Sequence, residues 1–132
     1  MARTFIVCCS ILVITATSLP AQDKKIISPK KALTAFEQKI IDTIYRLPEV
    51  KKRADYVKTH TNGTRQLKYT IWTTPAKSAP YYWIKVMEDN GGSYYTHFNF
   101  YLYPASFLIK YLDPGNGNAI RLEQWRKMKT TY

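Results

Sequence analysis

The sequence predicts an α+β domain in which a long N-terminal helix and a shorter helix pack on an antiparallel meander of four to five strands, with a short C-terminal helix. Two observations support this fold class. Up to about residue 60 the apolar residues recur at steps of three and four, the spacing of one helix face, and from about residue 65 they alternate with polar residues, as in a half-buried strand. Turn residues divide this second half into short segments, which favours strands that each pair with the next.

The first 21 residues have the pattern of an export signal. Arg3 precedes an apolar run over residues 5–16 that is too short to span a bilayer, and small residues lead to Ala21. We expect cleavage after Ala21, a secreted or periplasmic location and no transmembrane segment in the mature chain; the alternative is a membrane anchor or a buried N-terminal helix. Both cysteines lie in this segment, so the mature chain would have no disulfide and no thiolate metal site.

The mature chain is strongly basic. Arg3 is the only charged residue in the predicted signal, so 19 basic and 9 acidic residues remain, a net charge near +10. Because export is predicted, we expect an acidic protein surface or an anionic envelope glycan as partner rather than nucleic acid. The alternative is that the charge serves solubility alone. The mature chain is long enough for one domain, which we place at residues 28–132 after a tether at residues 22–27.

Two helices are predicted at the start of that domain. The first begins at Ser28-Pro29, an N-cap followed by proline at the first helical position. Its inward stripe comprises Leu33, Phe36, Ile40, Ile44 and Leu47. Pro48 disfavours helical geometry at Leu47, so a second helix over residues 49–59 follows a kink. Its inward residues are Val50, Ala54 and Val57.

Four strands are predicted at residues 65–74, 81–88, 93–103 and 107–112, with a short fifth at 119–122 and a closing helical turn at 123–128 that docks Trp125. Keeping the apolar residues on one face predicts a three-residue loop at Asn90-Gly91-Gly92, which pairs Val86 with Thr96 and Ile84 with Phe98. The predicted inner face comprises Leu67, Tyr69, Ile71, Tyr82, Ile84, Val86, Phe98, Phe100 and Leu102.

The opposite, outer face of this sheet is unusually aromatic. It is predicted to carry Lys68, Trp72, Tyr81, Trp83, Lys85, Met87, Tyr95, His97, Asn99 and Tyr101. Exposed rings beside cations are typical of recognition surfaces, and the same composition suits stacking on sugars or bases. The predicted binding residues are Trp72, Tyr81, Trp83, Lys85, Tyr95, His97 and Tyr101. The alternatives are that the C-terminal segment or the second helix covers this face, or that cross-strand ring pairs only stabilise the sheet.

The sequence contains no recognisable catalytic, metal or cofactor motif. Its two histidines are isolated, and Glu88 and Asp89 are adjacent, so on a strand they point to opposite faces rather than into one cleft. The turn at Asp113 lacks the alternating acids of a calcium loop. We therefore expect no catalytic residues, no metal and no cofactor. A small hydrolase built on Glu88, Asp113 or His97 is the least favoured alternative.

Several segments resemble a family of small exported proteins of Bacteroidota-type bacteria. They are residues 47–50, 81–86 with 88–91, 98–104 and 122–127. The resemblance implies no activity and no site residues. In architecture, a long helix against an antiparallel meander is similar to cystatin-like and PepSY-like modules, many of which are inhibitors or binding modules, although the motif by which cystatins bind their targets is absent from this sequence.

Taken together, these features predict an exported, non-enzymatic binding module that engages a macromolecule through the aromatic and basic sheet face. An enzyme inhibitor, including an immunity-type protein that acts against a toxin, is its most concrete form. The alternative is a module that binds an envelope polysaccharide or peptidoglycan through the same rings.

Overall fold

The computed structural model describes residues 32–129. The elements follow in the order α1 (Ala35–Tyr45), α2 (Pro48–His60), β1 (Leu67–Thr73), β2 (Tyr82–Asp89), β3 (Tyr94–Tyr103), β4 (Leu108–Leu112), β5 (Ala119–Arg121) and α3 (Leu122–Lys129). The strands form one sheet in chain order, and each pairs antiparallel with the next. The predicted α+β class, the meander and the short C-terminal helix are confirmed. The predicted signal (1–21) and tether (22–27) lie outside the described residues.

Helix α1 begins at Ala35 because Thr34 caps it. Thr34 Oγ1 accepts a hydrogen bond from the Glu37 backbone N–H at 3.2 Å, and Glu37 Oε2 accepts one from the Thr34 backbone N–H at 2.8 Å. This reciprocal capping box satisfies two backbone donors that a helix start leaves unpaired. The predicted start at Ser28-Pro29 lies outside the described residues. Leu33, expected on the inward stripe, precedes α1 and is 46% exposed, so that expectation is wrong.

Pro48 separates α1 from α2, as predicted. Leu47 has extended geometry (φ −60°, ψ 131°) because the residue before a proline avoids the helical region, and Pro48 lies in the first turn of α2, where its missing N–H leaves no bond unmade. Val50 and Val57 are buried on one side of α2. None of the three helices between residues 32 and 129 has the length and apolar character that crossing a membrane would require.

The core lies between the helices and the inner face of the sheet. Its buried residues are Ile40, Ile44, Leu47, Val50, Ile84, Val86, Phe98, Phe100, Leu102, Leu122 and Trp125. Trp125 of α3 is 5% exposed; its ring stacks on Tyr111 with centroids 4.2 Å apart and meets Phe100 edge-on at 6.1 Å. All three helices contribute residues to this one core, so within residues 32–129 they lie on the inner face of the sheet.

The register of the β2–β3 hairpin differs from the predicted one. Val86 pairs with Phe98 instead of Thr96, so the predicted pairing is wrong by two residues. Beyond this pair the register shifts and Met87 pairs with Thr96, which leaves His97 as the extra residue of a β-bulge. Because a shift of two residues keeps every side chain on its face, the apolar pattern alone could not choose between these registers.

The loop at the tip of this hairpin is one residue longer than predicted: Asp89 pairs with Tyr94, so the four residues 90–93 connect the strands. The Asn90 backbone N–H donates to Ser93 O at 2.9 Å, which closes the turn around Gly91 and Gly92. Gly91 has a φ of +84°, a conformation that a residue without Cβ adopts at little cost. The tight turn at the tip is thus separate from the bulge at His97, which lies further along the hairpin.

We expect Trp125→Ala to lower the free energy of unfolding by about 3–5 kcal/mol, because it empties a site lined by Phe98, Phe100 and Tyr111. The measurement is urea unfolding followed by far-UV circular dichroism. Met128→Ala, at an exposed position of the same helix, is the control and should change stability little. Equal effects of the two substitutions would show that α3 does not dock through Trp125.

Candidate binding surface

A row of paired side chains, one from each of four neighbouring strands, crosses the outer face of the sheet. Trp83 on β2 pairs with Tyr101 on β3, Tyr101 pairs with Lys110 on β4, and Lys110 pairs with Arg121 on β5. Residues that pair directly across strands point to the same face. These four residues, called here the outer row, therefore form a line of two rings followed by two cations.

The rings of Trp72, Tyr81, Trp83 and Tyr101, called here the aromatic platform, hold one another in place. Trp83 Nε1 donates to Asn99 Oδ1 at 3.1 Å, and its ring meets the rings of Trp72 and Tyr101 at centroid distances of 6.4 and 5.9 Å. Tyr81 stacks on Tyr101 at 4.0 Å. Partial burial, followed by the hydrogen bond with Tyr81, raises the pKa of Tyr101 above its ordinary value. A ligand would meet rings already ordered and lose little side-chain entropy on binding them.

Three cations lie on or beside this platform. Lys85 Nζ lies 3.6 Å from the ring centroid of Trp72 and 4.9 Å from that of Trp83, within cation–π range. Among residues 32–129, no carboxylate forms an ion pair with Lys85, Lys110 or Arg121. Their charge is therefore not neutralised by the described part of the chain.

A groove of about 640 Å³ runs beside the platform. It is lined by Ile71, Trp72, Thr73, Thr74, Ala76, Ala79, Tyr81, Trp83 and Tyr101. One wall is a short turn closed by two hydrogen bonds of 3.0 Å between the backbones of Ala76 and Ala79. Trp72 forms the other side because the β1–β2 register passes from Ile71 to Thr73, which leaves Trp72 as a bulge residue that is 53% exposed. The groove thus offers ring surface, hydroxyl groups and access from solvent.

Tyr95 and His97 do not share this face, contrary to the prediction. After the bulge Tyr95 pairs with Glu88, which continues the inner-face alternation of β2 through Val86. His97 Nε2 lies 2.8 Å from Glu88 Oε2, and its ring centroid lies 4.9 Å from that of Tyr95. The prediction that both residues lie on the outer face was wrong, because it assumed strict alternation along β3 and the bulge interrupts that alternation.

Of the predicted binding residues, the fold brings Trp72, Tyr81, Trp83, Lys85 and Tyr101 together. Sequence reasoning missed the two cations of the outer row, Lys110 and Arg121. Both lie in predicted strands, and the signal that could have found them is the register of β3, β4 and β5. No element described between residues 32 and 129 lies over the platform, and neither α2 nor α3 covers it, since both pack on the inner face.

A polar cluster occupies the inner face near the hairpin. Arg65 Nη1 donates to Glu88 Oε1 at 3.2 Å and to Asn90 Oδ1 at 2.9 Å, and His97 lies on the other oxygen of Glu88. The hydrogen bond with His97, and then that with Arg65, keeps the pKa of Glu88 below its ordinary value. The neighbouring carboxylate, Asp89, accepts a hydrogen bond of 2.6 Å from Lys68 on the outer face. The two carboxylates therefore do not converge on one cleft.

The described residues bring together no group of three histidine, cysteine or acidic side chains that could hold a metal ion. No protein-family model, curated protein or solved structure matches this chain. The resemblances to small exported bacterial proteins and to cystatin-like or PepSY-like modules thus stay predictions. The geometry of the outer face is what bears on function.

We expect acid to destabilise the protein partly through Glu88. Because its pKa is lower in the folded state than the ordinary value of 4.5, the ionised carboxylate stabilises the fold above that pH, and this contribution is lost as the pH falls through the folded-state pKa. Glu88→Gln should therefore be less stable at neutral pH and lose less stability between about pH 5 and pH 3. The measurement is urea unfolding at a series of pH values.

Asp55→Asn is the matched control, since it removes one carboxylate from the exposed side of α2. It should leave the pH dependence close to that of the unmodified protein. An unchanged profile in Glu88→Gln would contradict the ion-pair cluster.

Proposed function

We propose that this chain is an exported, non-enzymatic binding module that holds a negatively charged macromolecular partner on the outer face of its sheet. The single observation that supports this function most is the aromatic platform, whose interlocked rings lie beside cations that have no carboxylate partner among residues 32–129. Export rests on the signal pattern of the first 21 residues.

Sheet stability alone is a weak explanation of the platform. Cross-strand ring pairs stabilise a sheet by about 0.5–1.5 kcal/mol each, and this accounts for the stacking of Tyr81 on Tyr101. It does not account for Trp72, which is held half-exposed at a bulge, where about half of its surface gains nothing from burial. An exposed indole beside a groove is better explained by contact with a partner.

The positive charge fits the same function. A net charge of +11 for the whole sequence produces a field that speeds encounters with acidic partners and gives them a preferred orientation. An acidic protein, bound by an inhibitor or an immunity-type module, and an acidic envelope polysaccharide or peptidoglycan both have this chemistry. The open groove with its threonine hydroxyls favours the polysaccharide.

A hydrolase receives less support from the same geometry. Glu88 and His97 bind each other on the inner face, and Asp113 Oδ1 accepts a hydrogen bond of 2.8 Å from the Gly115 backbone N–H in a turn. These contacts use the side chains for local structure.

We expect the double variant Trp83→Ala, Tyr101→Ala to bind its partner at least about 30-fold more weakly, because one central aromatic anchor is commonly worth about 2 kcal/mol or more. The partner is first captured from a cell-envelope extract, identified and purified, and then titrated with each variant. Circular dichroism establishes that the variant is folded.

Tyr56→Ala serves as the control, since it removes a ring that is 52% exposed on α2, away from the outer face. It should bind as the unmodified protein does. Undiminished binding by a folded double variant would refute the outer face as the site.

A further inference from the structure

We infer that the occupant of the outer face is an acidic polysaccharide, which lies across the strands with its sugar rings on the aromatic platform and its carboxylates against Lys110 and Arg121. The inference rests on the proposed function and specifies its ligand. It is supported by the order of residues in the outer row, by the two cations at one end of that row that have no carboxylate partner among residues 32–129, and by the open groove beside its other end.

The strongest observation is a like-charge pair to which residues 32–129 supply no counter-charge, although Lys110 Nζ lies 5.2 Å from the ring centroid of Tyr103. Lys110 and Arg121 are directly paired on adjacent strands, and like charges in that position repel and destabilise a sheet. No carboxylate among residues 32–129 lies within ion-pair distance of either side chain. Arg121 is exposed and Lys110 half-buried, so both can be reached from solvent. A bound carboxylate would convert this repulsion into two attractive contacts.

The dimensions of the outer row suit an extended chain. Adjacent strands are about 4.8 Å apart, so the line from Trp83 on β2 to Arg121 on β5 is about 14 Å long. One end offers ring faces and the other offers cations. A linear polymer that repeats apolar ring faces and carboxylates can meet both ends at once.

The chemistry of the platform suits sugars. The faces of pyranose rings carry C–H bonds and stack on aromatic rings, while their edges carry hydroxyls. The polar atom of Trp83 is already bonded to Asn99, so the ring surface left beside Lys85 is apolar. Thr73 and Thr74 line the adjoining groove, where their hydroxyls can bond to the edge of a sugar.

Other anionic polymers fit this arrangement less well. A nucleic acid carries one charge for every nucleotide, so its binding grooves have cations along their length, whereas two of the four outer-row positions are neutral rings and Lys85, the cation at that end, already lies over the rings of Trp72 and Trp83. A protein anchor is usually enclosed in a pocket that excludes water, whereas the groove beside Trp72 is open to solvent.

The inference is tested with polygalacturonate, alginate and purified peptidoglycan, and with fully methyl-esterified polygalacturonate as a neutral version of the same sugar chain. Binding is measured by calorimetric titration. We expect at least one acidic polymer to bind, and the neutral ester to bind at least tenfold more weakly than polygalacturonate if that polymer is bound. Trp83→Ala should weaken binding of every polymer that the unmodified protein binds.

Substitutions of the cationic pair separate a built site from general charge. Lys110→Gln with Arg121→Gln should lose at least tenfold in affinity for the acidic polymer, whereas Lys51→Gln with Lys58→Gln, which removes the same charge from exposed positions of α2, should lose much less.

Arg121→Glu should raise the midpoint of urea unfolding, because it replaces repulsion by attraction, and should abolish binding of the acidic polymer.

Equal losses in the two charge-matched double variants would overturn the inference, as would equal binding of polygalacturonate and its ester. Tighter binding of an oligodeoxythymidylate than of any polysaccharide would identify nucleic acid as the ligand instead. The inference is also overturned if none of the three acidic polymers binds. In that case the proposed function still stands if binding of an identified protein partner requires Trp83 and Tyr101, and it fails if no partner requires them.

Discussion

The structure depends on burying one face of the sheet beneath all three described helices. Ile84 and Phe100 at the centre of that face have no exposed surface. Because successive residues of a strand point to opposite faces, each residue committed to the core directs its neighbours outward. Burial of Ile84 thus places Trp83 and Lys85 on the outer face, and burial of Phe100 does the same for Tyr101. The aromatic platform is therefore fixed by the same packing that forms the core.

The elements could be predicted from the sequence because their periodicity is local, whereas the register and the bulge could not. A strand shifted by two residues keeps Val86 and Phe98 on the inner face, so the hydrophobic pattern is satisfied either way. The observed register also brings His97 onto Glu88, a contact between strands that no single segment reveals. The start of α1 had a local signal, since Thr34 and Glu37 have the spacing of a capping box, but Ser28-Pro29 matched an N-terminal pattern as well.

The aromatic part of the candidate site was predictable for the same reason as the core, and its cationic part was not. Trp83 and Tyr101 lie next to core residues in long strands whose alternation is clear. Lys110 and Arg121 lie in the short strands β4 and β5. In so short a segment, a basic residue by itself indicates only a side chain exposed to solvent. Only the pairing of the two strands shows that these cations face each other and continue the line of rings.

The departures from regular sheet structure are concentrated around β2. β1 bulges at Trp72 and β3 bulges at His97, one on each side of that strand. Bulges commonly re-aim side chains beside functional sites, and the bulge at Trp72 turns an indole toward Lys85 and the groove. The half-exposed indole at the Trp72 bulge and the repulsive pair at Lys110 and Arg121 both lie on the outer face and do not serve the core. A sheet that served only as a scaffold would gain stability by losing them, so their presence on one face argues that this face binds a ligand.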